Sequence, residues 1–134
     1  MGVWSHEPFG NDDANDWADG LQDVDDLSLV EEVLDRALDA GEYLEAPEAS
    51  EAVAAVEVLA KLLGKGTQTD SYTEKVDEWV KSVSVKPSAA LLAKANRALE
   101  RVVDENSALR KLWEEGGAEE WLSSIAALQR AINA

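Results

Sequence analysis

The residues best suited to chemistry lie near the start of the chain. His6 is the only histidine, and Asp12 and Asp16 follow it four residues apart. That spacing puts both carboxylates on one helix face, where they can grip a cation or a basic side chain, with His6 joining them from the preceding arm. Trp4, Phe9, Asn11 and Trp17 surround this group. The same residues also have a structural reading. Trp4 and Phe9 plug the end of a helical bundle, and Asn11 or Asp12 caps the first helix. Aromatic residues flanking a cap favour the structural reading.

A second acidic group, Asp19, Asp23, Asp25 and Asp26, resembles a calcium loop only superficially. It lacks the turn glycine and the distal bidentate glutamate of such loops, so it reads as an acidic link leading into a helix N-terminus. A third group, Glu31, Glu32, Asp35 and Asp39, continues through Glu42, Glu45, Glu48 and Glu51 on what should be outer surfaces. Carboxylates this dense, with almost no countercharge, repel one another, and such a cost can be retained for a partner.

Other chemistries find no residues to carry them. The chain has no cysteine, which removes disulfides, thiolate metal sites and cysteine nucleophiles. No phosphate-binding glycine loop, dinucleotide fingerprint, serine-hydrolase elbow, zinc-protease helix or basic DNA-reading helix is present. The sequence therefore predicts no catalytic residue, no metal site and no cofactor. Paired carboxylates retain general acid–base potential only if a cleft gathers them.

Charge is divided unevenly. Residues 1–57 hold 17 of the 28 acidic residues and one basic residue, Arg36, whereas residues 58–134 are balanced. The net charge of -16 thus belongs to the first 57 residues. Such a field repels nucleic acid and anionic membranes and attracts basic proteins. The first twenty residues lack an apolar run, and Ala52 to Leu63 is too short and too interrupted to cross a bilayer. A cytoplasmic location is expected.

Helices must position these groups. Hydrophobic content of 46% supports a packed core, and 134 residues suit a single domain, 1–134. The pattern predicts an arm over 1–10 and a first helix from the Asn11 cap to about Asp23. A second helix runs from Asp26 or Ser28 towards Gly41. A third starts at Pro47 and ends near Leu63. A fourth covers about Thr73 to Ser82, a fifth Pro87 to Asp104, a short sixth follows a Ser107 cap, and a seventh runs from Ala118 to Ile132. The third is apolar on nearly all sides and should be central. Trp79, Trp113 and Trp121 fall at core spacing. The best strand candidate, Val80 to Val85, continues a helical pattern. The fold class is all-α, a compact multi-helix bundle or orthogonal array of six to seven helices.

Met1-Gly2-Val3-Trp4, Phe9, Asn11-Asp12, Ala14 and Asp16-Trp17, followed by Tyr43-Leu44-Glu45-Ala46-Pro47 and the alanine-rich stretch from Glu51, resemble a family of small bacterial proteins known as domain of unknown function 4259. Its members begin M-G-x-W-G and continue F-x-N-D-x-A-x-D. Ser5 stands where the family usually has glycine. The resemblance implies a bacterial, cytoplasmic, single-domain protein and brings no catalytic residues with it.

Three functional readings follow. The first is an acidic interaction module that binds a basic partner, as immunity or inhibitor proteins bind basic toxins or nucleases. The second is an enzyme or small-ligand protein using Trp4, His6, Asp12 and Asp16. The third is a helical protein with no dedicated site, its charge serving solubility.

Overall fold

The computed structural model describes residues 5–133; Trp4 lies outside them. Seven α-helices occur among the described residues: α1 (Asp12–Asp19), α2 (Ser28–Leu38), α3 (Ala46–Leu62), α4 (Glu74–Ser82), α5 (Ala89–Val102), α6 (Ala108–Gly116) and α7 (Glu119–Asn133). Single 3-10 turns, Gly20–Asp23 and Ser71–Thr73, follow α1 and precede α4. There is no strand among these residues, and the Val80–Val85 segment is helical up to Ser82.

The order follows from where apolar residues recur. In α2, Val30, Val33, Leu34 and Ala37 form the buried stripe expected of an amphipathic helix. Helix α3 differs: every residue from Ala49 to Lys61 except Glu51 is buried. Small alanines at 49, 52, 54, 55 and 60 leave room for neighbours on every side, and α3 packs against all six other helices. It is the axis of the fold, as its all-round apolar sequence demands.

Helix ends obey local chemistry. Asn11 accepts the Ala14 N–H at 2.8 Å and caps α1. Pro47 occupies the first turn of α3, where its missing N–H leaves no bond unmade. Gly64, with φ of 78°, closes α3. Its N–H reaches the Lys61 carbonyl (3.0 Å), and the Lys65 N–H reaches that of Ala60 (2.8 Å), which is a Schellman ending. Helix α5 is two residues shorter at each end than the sequence pattern predicts. Ser88 provides the cap through its bond to the Leu91 N–H (3.1 Å), and Pro87 stays outside the helix.

One tie is invisible in the sequence. Leu44, between α2 and α3, forms an isolated parallel bridge with Ser107, between α5 and α6. The Leu44 N–H donates to the Asn106 carbonyl (2.9 Å), and the Ala108 N–H donates to the Leu44 carbonyl (2.8 Å). Ser107 is the N-cap residue of α6 by position, yet its side chain makes no capping bond. Of the three tryptophans placed in the core by spacing, Trp79 and Trp121 are buried, whereas Trp113 is only half-buried at the edge. Trp79 also anchors the α1–α2 link by donating Nε1–H to the Val24 carbonyl (2.8 Å).

Candidate functional site

Two groups of charged residues stand out, one on the surface and one inside. The surface group spans three helices. Arg36 of α2 reaches Glu32 one turn away (3.1 Å) and Glu51 of α3 (3.4 Å). Glu51 is half-buried, and its carboxyl is held above the ordinary carboxylate value. Burial is the main cause, the Arg36 guanidinium opposes it, and the charges of Asp13, Glu48 and Glu32 add to the rise. Carboxylates from α1, α2 and α3 therefore act together on Glu51, and Arg36 pairs with two of them, Glu32 and Glu51. One Glu48 oxygen, Oε2, is enclosed without a hydrogen-bond partner among the described residues.

Further along α2, the expected lack of countercharge does not hold. Lys94, which projects from α5, sits 2.7 Å from Asp35 and 3.3 Å from Glu31. Its ammonium is held above its usual value, first by the hydrogen bond to Asp35 and also by that to Glu31, with burial opposing. The charge-balanced part of the chain thus neutralises part of the acidic part. A separation of about sixty residues hid this partner from the sequence. Asp39 is exposed and forms no ion pair among the described residues, and Ser28, Glu31, Glu32, Asp35, Arg36 and Asp39 line an open, shallow surface along α2.

The arm residues do not assemble as a cation site. Asp12 and Asp16 are exposed on α1. His6 turns instead to α7, where Nε2 lies 3.6 Å from Glu120, and it makes no ion pair with Asp12 or Asp16. Among the described residues, no group of three or more histidines and carboxylates has the geometry to hold a metal ion. Asn11 and Asn15 are occupied structurally: Asn15 Nδ2 donates to the carbonyls of Phe9 (3.0 Å) and Asn11 (2.8 Å). Phe9 is fully buried.

The interior group was not anticipated. Glu57 and Lys61, one turn apart on α3, fall inside an apolar run, and the fold buries both. Lys61 Nζ contacts Asp77 of α4 at 2.7 Å, Glu57 at 3.8 Å and the Gln68 carbonyl. The Glu57 carboxylate accepts the Thr67 N–H (2.8 Å), the Thr67 hydroxyl (2.8 Å) and the Gln68 N–H (2.8 Å). Asp77 also accepts the Thr73 hydroxyl (2.8 Å). Burial pushes the Glu57 carboxyl up, while these donors and Lys61 pull it down. Gly66 is needed because a Cβ there would lie 2.6 Å from Lys61 Cγ. With every member paired, the group pins the α3–α4 loop onto α3; nothing in it is left free to react. The signal available in the sequence was two opposite charges at helical spacing within an otherwise apolar helix, facing a loop with two glycines.

No described helix is long and apolar enough to cross a membrane. No curated protein and no solved structure matches the chain. A family model described as domain of unknown function (DUF4259) matches residues 2–124, nearly the whole chain, and covers both α1 and the α3 network. The chain belongs to that family.

Proposed function

We propose that this protein is an acidic interaction module that docks a basic protein through the surface formed by α1, α2 and the N-terminal end of α3. The observation that carries the reading is Glu51. It is drawn partly out of water among Asp13, Glu32 and Glu48, with Arg36 as its close counterion. A basic side chain from a partner would relieve that repulsion, and Asp12, Asp16 and Asp39 would extend the field that guides encounter. The partner would resemble the basic toxins or nucleases bound by immunity and inhibitor proteins. Nucleic acid and anionic membrane surfaces are repelled by the same field. The chain acts as one domain, 1–134, in a bacterial cytoplasm.

The test is capture of partners by the tagged protein at low and at high salt, alongside a variant carrying Asp13→Asn, Glu48→Gln and Glu51→Gln. A basic protein retained at low salt, lost at high salt and lost with the variant supports the reading. A partner held equally by the variant, or no partner at either salt, refutes it. The alternative of a small ligand or substrate held at the arm has less to stand on. The enclosed void beneath His6 is about 10 Å³, the size of one water. The larger hollow of about 420 Å³ that His6 lines with Glu119, Glu120, Ser123 and Ser124 is open to solvent and does not include Asp12 or Asp16.

A further inference from the structure

The arm is a preformed hook. The Ser5 N–H donates to the Gly10 carbonyl (3.2 Å), the Gly10 N–H to that of Glu7 (3.0 Å), and the Glu7 N–H to the Ser5 hydroxyl (3.1 Å). Its turn is so tight that a Cβ at Gly10 would lie 2.1 Å from Ser5 Oγ. The hook lies across a groove between α3, α6 and α7, over Ser50, Val53, Leu109, Trp113 and Trp121. It does not fill that groove. His6 Nδ1 is enclosed there without a partner among the described residues, beside a void of about 10 Å³. Its polar contact with α7, His6 to Glu120 at 3.6 Å, is long, and the Glu120 side chain is exposed. Such a contact contributes little.

Among the described residues, firmer polar ties hold the arm at Phe9. The buried Phe9 N–H donates to Gln68 Oε1 at 2.8 Å, across 59 residues. Gln68 is itself held on three sides. Its N–H donates to Glu57, its carbonyl accepts from Lys61, and its Nε2 donates to Asp70 at 3.0 Å. A carboxylate only accepts, so Asp70 dictates which end of the Gln68 amide faces Phe9.

We infer that the arm is a strap whose closure over the α3–α6–α7 groove is latched by the α3–α4 loop, so that loosening the loop at Gln68 unseats the arm and opens the groove to solvent. Asn15 holds the Phe9 carbonyl and stays as the hinge. The Glu57–Lys61–Asp77 group is the base on which the latch is built. The latch is independent of the acidic surface and of what that surface binds.

Amide hydrogen exchange of the full chain tests this with two variants. Gln68→Met removes the acceptor at nearly constant volume. Asp70→Ala leaves Gln68 in place but frees its amide. It also removes the cap that Asp70 places on the Ser71–Thr73 turn by accepting the Tyr72 N–H (2.9 Å), so quickening confined to residues 71–74 does not count for the strap. An unpaired buried N–H raises the opening equilibrium by about tenfold. Exchange in residues 5–11 is therefore expected to quicken by about that factor in Gln68→Met and by a smaller factor in Asp70→Ala, together with residues 66–70. Residues 125–133 of α7 should keep their protection. An arm that exchanges at the wild-type rate in either variant overturns the inference. So does an equal quickening of α7, which would mean that the whole fold loosens rather than the strap. If Gln68→Met fails to fold, Asp70→Ala decides.

Discussion

Lys61 illustrates how much one buried charge depends on its neighbours. Its ammonium lies between Asp77 and Glu57, with side-chain exposure of 5% for Lys61 and 0% for Glu57. Removing one partner of a buried pair leaves the other charge without compensation, at a cost of about 3–5 kcal/mol. Lys61→Met is therefore expected to destabilise the fold by that order, read as the midpoint of denaturant unfolding. Glu57→Gln alone also costs stability, because a Gln amide nitrogen would face the Thr67 or Gln68 N–H that the carboxylate now accepts. The double variant should lose less than the sum of the two, since an uncharged pair has no orphaned charge. Additive losses would mean that Glu57 and Lys61 do not act as a pair. Residue-scale legibility was poorest here. Sequence spacing shows that Glu57 and Lys61 share a face, but only the folded α3–α4 loop reveals that this face is interior.

Among the helices, two serines at equivalent positions behave differently. Ser88 caps α5 with a bond to the Leu91 N–H, so Ser88→Ala should cost about 1 kcal/mol. Ser107 occupies the N-cap of α6, but its hydroxyl is buried with no partner among the described residues. Its backbone is held instead by the bridge to Leu44. Ser107→Ala removes a buried unpaired hydroxyl and is expected to be neutral or mildly stabilising. Thermal unfolding of both variants checks the contrast, and a loss at Ser107 equal to that at Ser88 would sink it. The contrast also marks what the sequence makes legible. Caps, glycine stops and apolar stripes are local, so the seven helices and the central position of α3 were readable from periodicity. Pairings made across the chain were not: Leu44 with Ser107, Lys94 with Asp35, and His6 with Glu120 each join distant residues that carry no mutual sequence signal. The candidate site shows the same division. Its acidic residues were legible by type, whereas their partial neutralisation by Lys94 and their convergence at Glu51 required the tertiary fold.

At the scale of the whole molecule, the charge imbalance sets a direction for stability against pH. Glu57 and Glu51 both have carboxyls raised above their ordinary value of 4.5, mainly by burial. A raised value means that the folded state binds the proton more tightly than the unfolded state. The stabilisation this linkage supplies is fully present below about pH 4.5 and is lost as pH rises through the higher folded values. The charges of Asp13, Glu48 and Glu32 act in the same sense at Glu51, because they repel its carboxylate only once it ionises. Asp26 runs the other way: its carboxyl is lowered by the Ser28 hydroxyl and N–H, so its bonds weaken in acid, but it sits fully in solvent. Stability measured by denaturant unfolding should therefore rise from pH 7 to pH 5, and added salt should raise it at pH 7 more than at pH 5. Glu51→Gln should flatten the pH slope, because it removes one of the two raised groups and relieves Asp13 and Glu48. A slope of the opposite sign would mean that the carboxylates are better satisfied in the folded chain than in water. The excess acidity would then be a stabilising feature of the fold, and the proposed need for a basic partner would lose its physical ground.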